Sequence, residues 1–133
     1  MRIIFNEKSR EFHLFNNSIS YIIKILRNNQ LGQLYFGKRI HKRDNYDYLL
    51  ENAYRPMTAY VYEGEYEFSL EHIKQEYPSY GTTDFKYPAY EILQNNGSRI
   101  TDFKYISHKI YSGKPKLKSR PATYTEEDSE ADT

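Results

Sequence analysis

Any chemistry in this chain has to come from histidines, carboxylates, bases and phenols, because its 133 residues include no cysteine. That excludes a disulfide scaffold, a thiolate-ligated zinc and a thiol nucleophile. The four histidines, His13, His41, His72 and His108, are spread along the chain. No two of them stand at the short spacing that paired histidine ligands use, so no metal is expected. His13 falls in an apparent strand and reads as a hydrogen-bonded structural residue. Serines and carboxylates are plentiful, but there is no nucleophile elbow and no phosphate-cradling glycine loop. No organic cofactor is expected.

Two other groupings have chemical potential. Lys38-Arg39-Ile40-His41-Lys42-Arg43 is a compact basic stretch flanked by Tyr35, Phe36 and Tyr46, the combination that neutralises and stacks single-stranded nucleic acid. Such patches gain affinity from surplus charge, yet the whole chain carries 19 bases against 18 acids. With Asp44, Asp47 and Glu51 nearby, a solvated loop is the preferred reading and no nucleic-acid partner is expected. The 15 tyrosines and 7 phenylalanines are compatible with a sugar-stacking platform or with the core of a tryptophan-free β domain. Composition leaves both open. The densest unusual stretch, residues 75–90, combines Pro78, Gly81, Asp84 and Pro88. It reads as a stiff irregular loop with buried aromatics and a committed carboxylate at Asp84.

The elements that must position these groups are mostly strands. Ile3 and Phe5, Phe12 and Leu14, then Ile19, Tyr21, Ile23 and Ile25 each mark one face at period two. Residues 27–30 read as an asparagine turn leading into a return strand at residues 33–37. Further on, Asn95-Asn96-Gly97-Ser98 separates two alternating runs at residues 90–94 and 99–105, a strong hairpin signal. Another short strand is expected at residues 108–111. Short helical turns are expected at residues 46–53 and 70–75, with no longer helical periodicity. The predicted core is Ile23, Ile25, Leu34, Phe36, Ile92, Ile100 and Phe103. No apolar run is long enough for a signal peptide or a spanning helix, so a soluble, cytoplasmic protein with no membrane partner is expected. Residues 125–133 hold five acids and no base. Just before them, Ala122-Thr123-Tyr124 opens a strand that the chain does not finish, as in a domain cut from something longer.

Several of these segments resemble family 36 α-galactosidases of low-GC Gram-positive bacteria. They are Ile4-Phe5-Asn6, Phe12-His13-Leu14, Gly32-Gln33-Leu34-Tyr35-Phe36-Gly37-Lys38, residues 76–90, Asn96-Gly97-Ser98 and Pro121-Ala122-Thr123-Tyr124. The similarity runs along essentially the whole chain in order. It implies an N-terminal antiparallel β-sandwich, of the supersandwich kind, that precedes a (β/α)8 barrel and a small C-terminal β domain. It further implies that the parent enzyme is a retaining hydrolase of terminal α-galactosides such as melibiose and raffinose, using two aspartates on the barrel. No position here matches those aspartates, so no catalytic residue is assigned. Some relatives are tetramers in which an N-terminal loop reaches a neighbouring subunit's active site. The matching loop, Leu50-Glu51-Asn52-Ala53-Tyr54-Arg55-Pro56, makes Glu51 a candidate for hydrogen-bonding a sugar hydroxyl and Tyr54 a candidate pocket wall. Against that, Glu51 is also placed to pair with Arg55 on a short helix. Relatives often carry Arg where Lys86 stands here, and Lys cannot bind Asp84 bidentately.

The resulting expectation is an all-β antiparallel sandwich with one or two short helical turns. It consists of a body at residues 1–125 and an acidic, mobile end at 126–133. Its role is non-catalytic: to pack on the parent barrel, build the homo-oligomer and shape the active-site entrance. The rivals are an autonomous carbohydrate-binding module and a single-stranded nucleic-acid-binding β domain.

Overall fold

Among the described residues four strands follow one another: β1 (Arg2–Asn6), β2 (Glu11–Phe15), β3 (Ile19–Ile25) and β4 (Leu31–Lys38). The computed structural model describes residues 2–113 together with Ser119 and Pro121. Each strand pairs antiparallel with the next, giving one sheet in the order β1-β2-β3-β4. Asparagine chemistry makes the reversals. Asn6 Oδ1 accepts the Lys8 backbone N–H at 3.1 Å after β1. Asn16 Oδ1 accepts those of Ser18 and Ile19, both at 2.8 Å, before β3. In the turn at residues 27–30, Asn29 takes φ 64°, the left-handed conformation that asparagine tolerates.

Register defines two faces of the sheet. Glu11 stands opposite Lys24 and His13 opposite Ile22, so these residues and Ser20 share a face of mixed polarity. Phe5, Phe12, Tyr21, Ile23 and Phe36 share the apolar face. The mixed face is the more deeply buried. Ile22 and Ser20 have no exposed surface, and Glu11 and His13 very little, whereas Ile23 is half-buried and Phe36 is 66% exposed. The reason is that residues 40–50 lie across the mixed face. Tyr46 packs there with Ile22 and Leu34, flanked by Ile40 and Leu49. Leu34 is available because Ile22 pairs with Tyr35 but Ile23 with Gln33, a β-bulge that leaves it as the extra residue.

A second core gathers Leu26, Phe68, Leu70 and Ile73 under Val61 and Tyr62. It is joined to the sheet through β4: Gln33 N–H donates to the Lys74 carbonyl at 2.8 Å and Glu76 N–H to the Leu31 carbonyl at 2.9 Å. Gly32 makes that approach feasible, since a Cβ there would lie 2.8 Å from Leu26 Cδ2. Among the described residues, helix is confined to one 3-10 turn, Asp47–Leu49, shorter than the segment expected at residues 46–53. At residues 69–73 the His72 and Ile73 N–H groups both reach the Ser69 carbonyl, a turn and no more. The class is therefore all-β and antiparallel, as expected, with irregular chain forming the layer over the mixed face.

The second half departs from the sequence expectation. The Asn96-Gly97 turn forms, with Gln94 N–H bonded to the Ser98 carbonyl and Gly97 N–H to the Gln94 carbonyl, both at 2.9 Å. Its arms are not strands among the described residues. The return arm spends its donors elsewhere, Thr101 N–H on the Tyr80 carbonyl and Tyr105 N–H on the Asn29 carbonyl. Ile92, Ile100 and Phe103 are consequently exposed, as is Phe36, against the expectation that all four lie in the core. Ile25 and Leu34 are buried as expected. The strand expected at residues 108–111 is also absent; His108 instead packs on Phe5 and Phe12, with ring centroids 4.4 and 4.8 Å apart. The strand opening at residues 122–124 and the boundary at 125/126 lie outside the described residues. No helix among the described residues is long and apolar enough to cross a membrane.

Candidate functional site

The loop at residues 50–56 is anchored at one end by Leu50, which packs against both cores. Pro56 ends it, and Met57 follows at φ 66°. Glu51 forms an ion pair and hydrogen bond with Arg55, the helix-like i,i+4 contact, without a helix. Arg55 also meets His72 Nδ1 at 3.2 Å. Tyr54 is 63% exposed and meets Tyr66 edge-on at 5.8 Å, while Tyr66 meets Tyr60 edge-on at 5.1 Å.

The two candidate residues do not share a cleft. Tyr54 lines an open cavity of about 450 Å³ with Arg27, Asn52, Glu65 and Tyr66. Glu51 lines a smaller recess of about 160 Å³ near His72 and Lys74. In the larger cleft, Arg27 is ion-paired with Glu65 and lies over the rings of Tyr62 and Phe68 at 5.0 and 5.7 Å. The hydrogen bond between them holds the Glu65 carboxyl below its ordinary range and the Arg27 guanidinium above. An aromatic wall beside a guanidinium, a carboxylate and an amide has the makings of a polyol site. Arg27, Glu65 and Tyr66 were not singled out from the sequence. The available signal was the Tyr60, Tyr62, Tyr66 alternation, but nothing local ties it to Arg27, more than thirty positions earlier.

The buried polar groups under residues 40–47 form a positioning network rather than a reaction centre. His13 Nε2 lies 2.9 Å from Ser20 Oγ and its Nδ1 3.2 Å from Tyr46 Oη. Tyr46 Oη donates to the His41 carbonyl at 3.0 Å and accepts the Arg43 N–H at 3.1 Å. Both Glu11 oxygens lie 3.1 Å from the Tyr46 N–H, and Lys24 Nζ links Glu11 at 3.2 Å to Asp47 at 2.5 Å. Burial, helped by Arg39, pushes the His13 pKa down, and burial pushes the Tyr46 phenol up. His13 is thus a satisfied structural residue, as its strand position suggested. The basic stretch is organised by rings and carbonyls more than by acids. Arg39 donates to the Asn16 carbonyl and covers Phe15, and Arg43 covers Tyr48. Asp47 and Glu51, near the stretch in sequence, are taken by Lys24 and Arg55 instead.

The stiff loop at residues 75–90 does carry a committed carboxylate, but not the buried aromatics expected with it: Tyr77, Tyr80, Phe85 and Tyr87 are exposed, because the chain there forms a tight turn over which no other described segment lays a covering layer. Asp84 has no exposed surface. Its Oδ2 accepts Gln75 Nε2 at 2.6 Å, and its Oδ1 accepts the Lys86 N–H at 3.1 Å and pairs with Lys86 Nζ at 2.9 Å. Lys86 Nζ is shared with the Leu70 carbonyl, a point-charge arrangement rather than a fork. Among the described residues, no group of three or more histidines and carboxylates is placed to hold a metal ion.

The class that emerges is an antiparallel β domain whose irregular segments carry surface clefts. Comparison with known proteins identifies the family. Residues 29–133 match the glycosyl hydrolase family 36 N-terminal domain. Alpha-galactosidase AgaA of Geobacillus stearothermophilus is 38% identical over 135 aligned residues, which cover 100% of this chain and 18% of that protein. The solved α-galactosidase of Lactobacillus brevis superposes with a TM-score of 0.90 at 38% identity, over 98% of this chain and 18% of its own. A variant of the Geobacillus enzyme solved in complex with raffinose gives a TM-score of 0.76 at 38% identity, over 87% of this chain and 16% of its own. The chain belongs to the family 36 N-terminal domains. It spans about a fifth of the length of these relatives.

Proposed function

We propose that this chain serves as the non-catalytic N-terminal domain of a cytoplasmic family 36 α-galactosidase that hydrolyses terminal α-galactosides, raffinose among them. The observation that carries this is the likeness over nearly the whole chain, in sequence and in backbone together. A retaining glycosidase needs two carboxyl groups about 5–5.5 Å apart, and in this family both belong to the barrel that follows. The domain's part is to pack on that barrel, to contribute to a homo-oligomer and to shape the active-site entrance. Tyr54 is the better candidate for shaping the entrance, because its ring is exposed in an open cleft, whereas Glu51 must first leave Arg55 to reach a sugar hydroxyl. The test has two halves. The purified chain should not hydrolyse a chromogenic α-galactoside, and the same chain grafted in place of the matching segment of the Geobacillus enzyme should give an active protein. Turnover that copurifies with the isolated chain would refute the division of labour.

The cleft supports a second reading, an autonomous carbohydrate-binding module. Tyr54 and Tyr66 offer exposed rings beside Arg27 and Asn52, and pyranose faces stack on such rings. Galactose-induced shifts of Tyr54 and Tyr66 resonances in the isolated chain would favour it.

A further inference from the structure

Away from the cleft, residues 77–103 carry a second aromatic surface on a constrained scaffold. The segments are laced together through the backbone: Ala89 N–H donates to the Pro78 carbonyl at 2.9 Å and Thr101 N–H to the Tyr80 carbonyl at 3.4 Å. Gly81 pairs with Asp84 across a tight turn, so Tyr80 and Phe85 flank its two ends in sequence. Ile100 packs on Gly81 so closely that a Cβ there would meet it at 2.9 Å, and Phe103 stacks on Tyr90 with centroids 4.4 Å apart.

The turn is held in a costly conformation. Gly81, Thr82 and Thr83 have φ of 87°, 54° and 70°, and β-branched residues seldom adopt positive φ. Such strain persists only where the surroundings over-determine it; here buried Asp84 does so, through Gln75 and Lys86. A rigid backbone that presents exposed rings loses little entropy when those rings are covered.

Exposures of 64, 46, 63, 91 and 56% at Tyr77, Tyr80, Phe85, Tyr87 and Phe103 amount to about three whole aromatic side chains. At roughly 200 Å² each, that is on the order of 600 Å². Summed over the segment, this exposed aromatic area approaches the ~800 Å² that one partner contributes to a standard interface. The charged side chains along these residues are also paired, which lowers the cost of covering them. Lys86, between Phe85 and Tyr87, is turned onto Asp84 and the Leu70 carbonyl, while Glu91 and Arg99 pair with each other at 3.8 Å.

We propose that this surface, centred on Tyr80, Phe85 and Tyr87, is the docking face for the remainder of an α-galactosidase polypeptide. The relatives carry about four-fifths of their length beyond the part this chain matches, so an occupant of sufficient size exists within the same polypeptide. The proposal rests on the N-terminal-domain reading and adds which face makes the contact. A partner with apolar side chains and a few acceptors for the phenol hydroxyls fits it.

The test is hydroxyl-radical footprinting of the isolated chain and of the graft onto the Geobacillus enzyme. In an active graft, Phe85 and Tyr87 should be labelled about fivefold less than in the isolated chain, since interface cores pack like interiors. Tyr48, exposed on another segment, should be labelled equally in both. Equal labelling of Phe85 and Tyr87 in an active graft overturns the docking face and leaves the domain reading standing. An inactive graft counts against the domain reading, and the docking face falls with it. Protection that appears in the isolated chain as its concentration rises marks a second copy as the occupant and also overturns the proposal. As an independent check, Phe85→Ser with Tyr87→Ser should shorten the graft's half-life at elevated temperature about tenfold and leave the melting of the isolated chain unchanged.

Discussion

Replacing Ile22 by Ala should destabilise this domain far more than replacing Phe103 by Ala, although Phe103 is the larger residue and the one that alternation places in the core. Ile22 has no exposed surface and lies against Leu34 and Tyr46. The substitution removes about three methyl or methylene groups, worth roughly 2–2.5 kcal/mol at ~0.8 kcal/mol each. The neighbourhood cannot collapse freely, because His13, Ser20 and Tyr46 are bound to one another and to the backbone. A cavity contribution therefore raises the loss to about 3–4 kcal/mol. Phe103 is 56% exposed and is held mainly by its stack on Tyr90, so its truncation should cost only about 1 kcal/mol. Urea unfolding followed by circular dichroism would measure both, with the slope against denaturant checked for constancy. Against a total of about 5–15 kcal/mol, the Ile22 variant should show a large shift in midpoint. A Phe103→Ala loss equal to or above that of Ile22→Ala would refute the account of which face forms the core.

Other outcomes follow from the buried polar groups and the close approaches. The folded-state pKa of His13 lies below its ordinary value of 6.5, so below about 6.5 the unfolded chain binds more protons there. Its contribution is complete above that pH and is lost as pH falls through the folded value; wild-type stability should fall between pH 7 and 5 more steeply than that of His13→Gln, and parallel profiles would contradict this. Asp84→Asn keeps the shape but removes the charge that pairs Lys86, and should cost about 2–3 kcal/mol by thermal or chemical unfolding. Gly32→Ala should cost about 1–3 kcal/mol through overpacking, because its Cβ would press on Leu26; a neutral result would mean that Leu26 has room to turn aside.

The β1–β4 meander was legible because its information is local. Alternation, short reversals and asparagines at the turns all act within a few residues, and each hairpin pairs with its neighbour in sequence. The stiffness of residues 75–90 was legible for the same reason: Gly81 and Asp84 meet across two intervening residues. The commitment of Glu51 to Arg55 was visible as one of two alternatives, since four residues separate them.

Which face of the sheet is buried was decided by a segment arriving from a distance. Period two marked Tyr21 and Ile23 correctly as one side, but alternation carries no information about what will lie on either side. Residues 40–50 covered the other side, where Glu11, His13 and Lys24 could be satisfied by Tyr46 and Asp47. The Asn96-Gly97 turn was determined locally, while the fate of its arms was not: a strand needs a ladder partner, and the return arm found Tyr80 and Asn29. The cleft at Tyr54 likewise needed the chain to bring Arg27 beside Glu65 and Tyr66. Local sequence determined the turns, the extended segments and the paired charges a few residues apart. Burial and cleft composition depend on contacts between distant segments, whose free energy is set by shape and by mutual satisfaction of polar groups, and these were decided only when the chain packed.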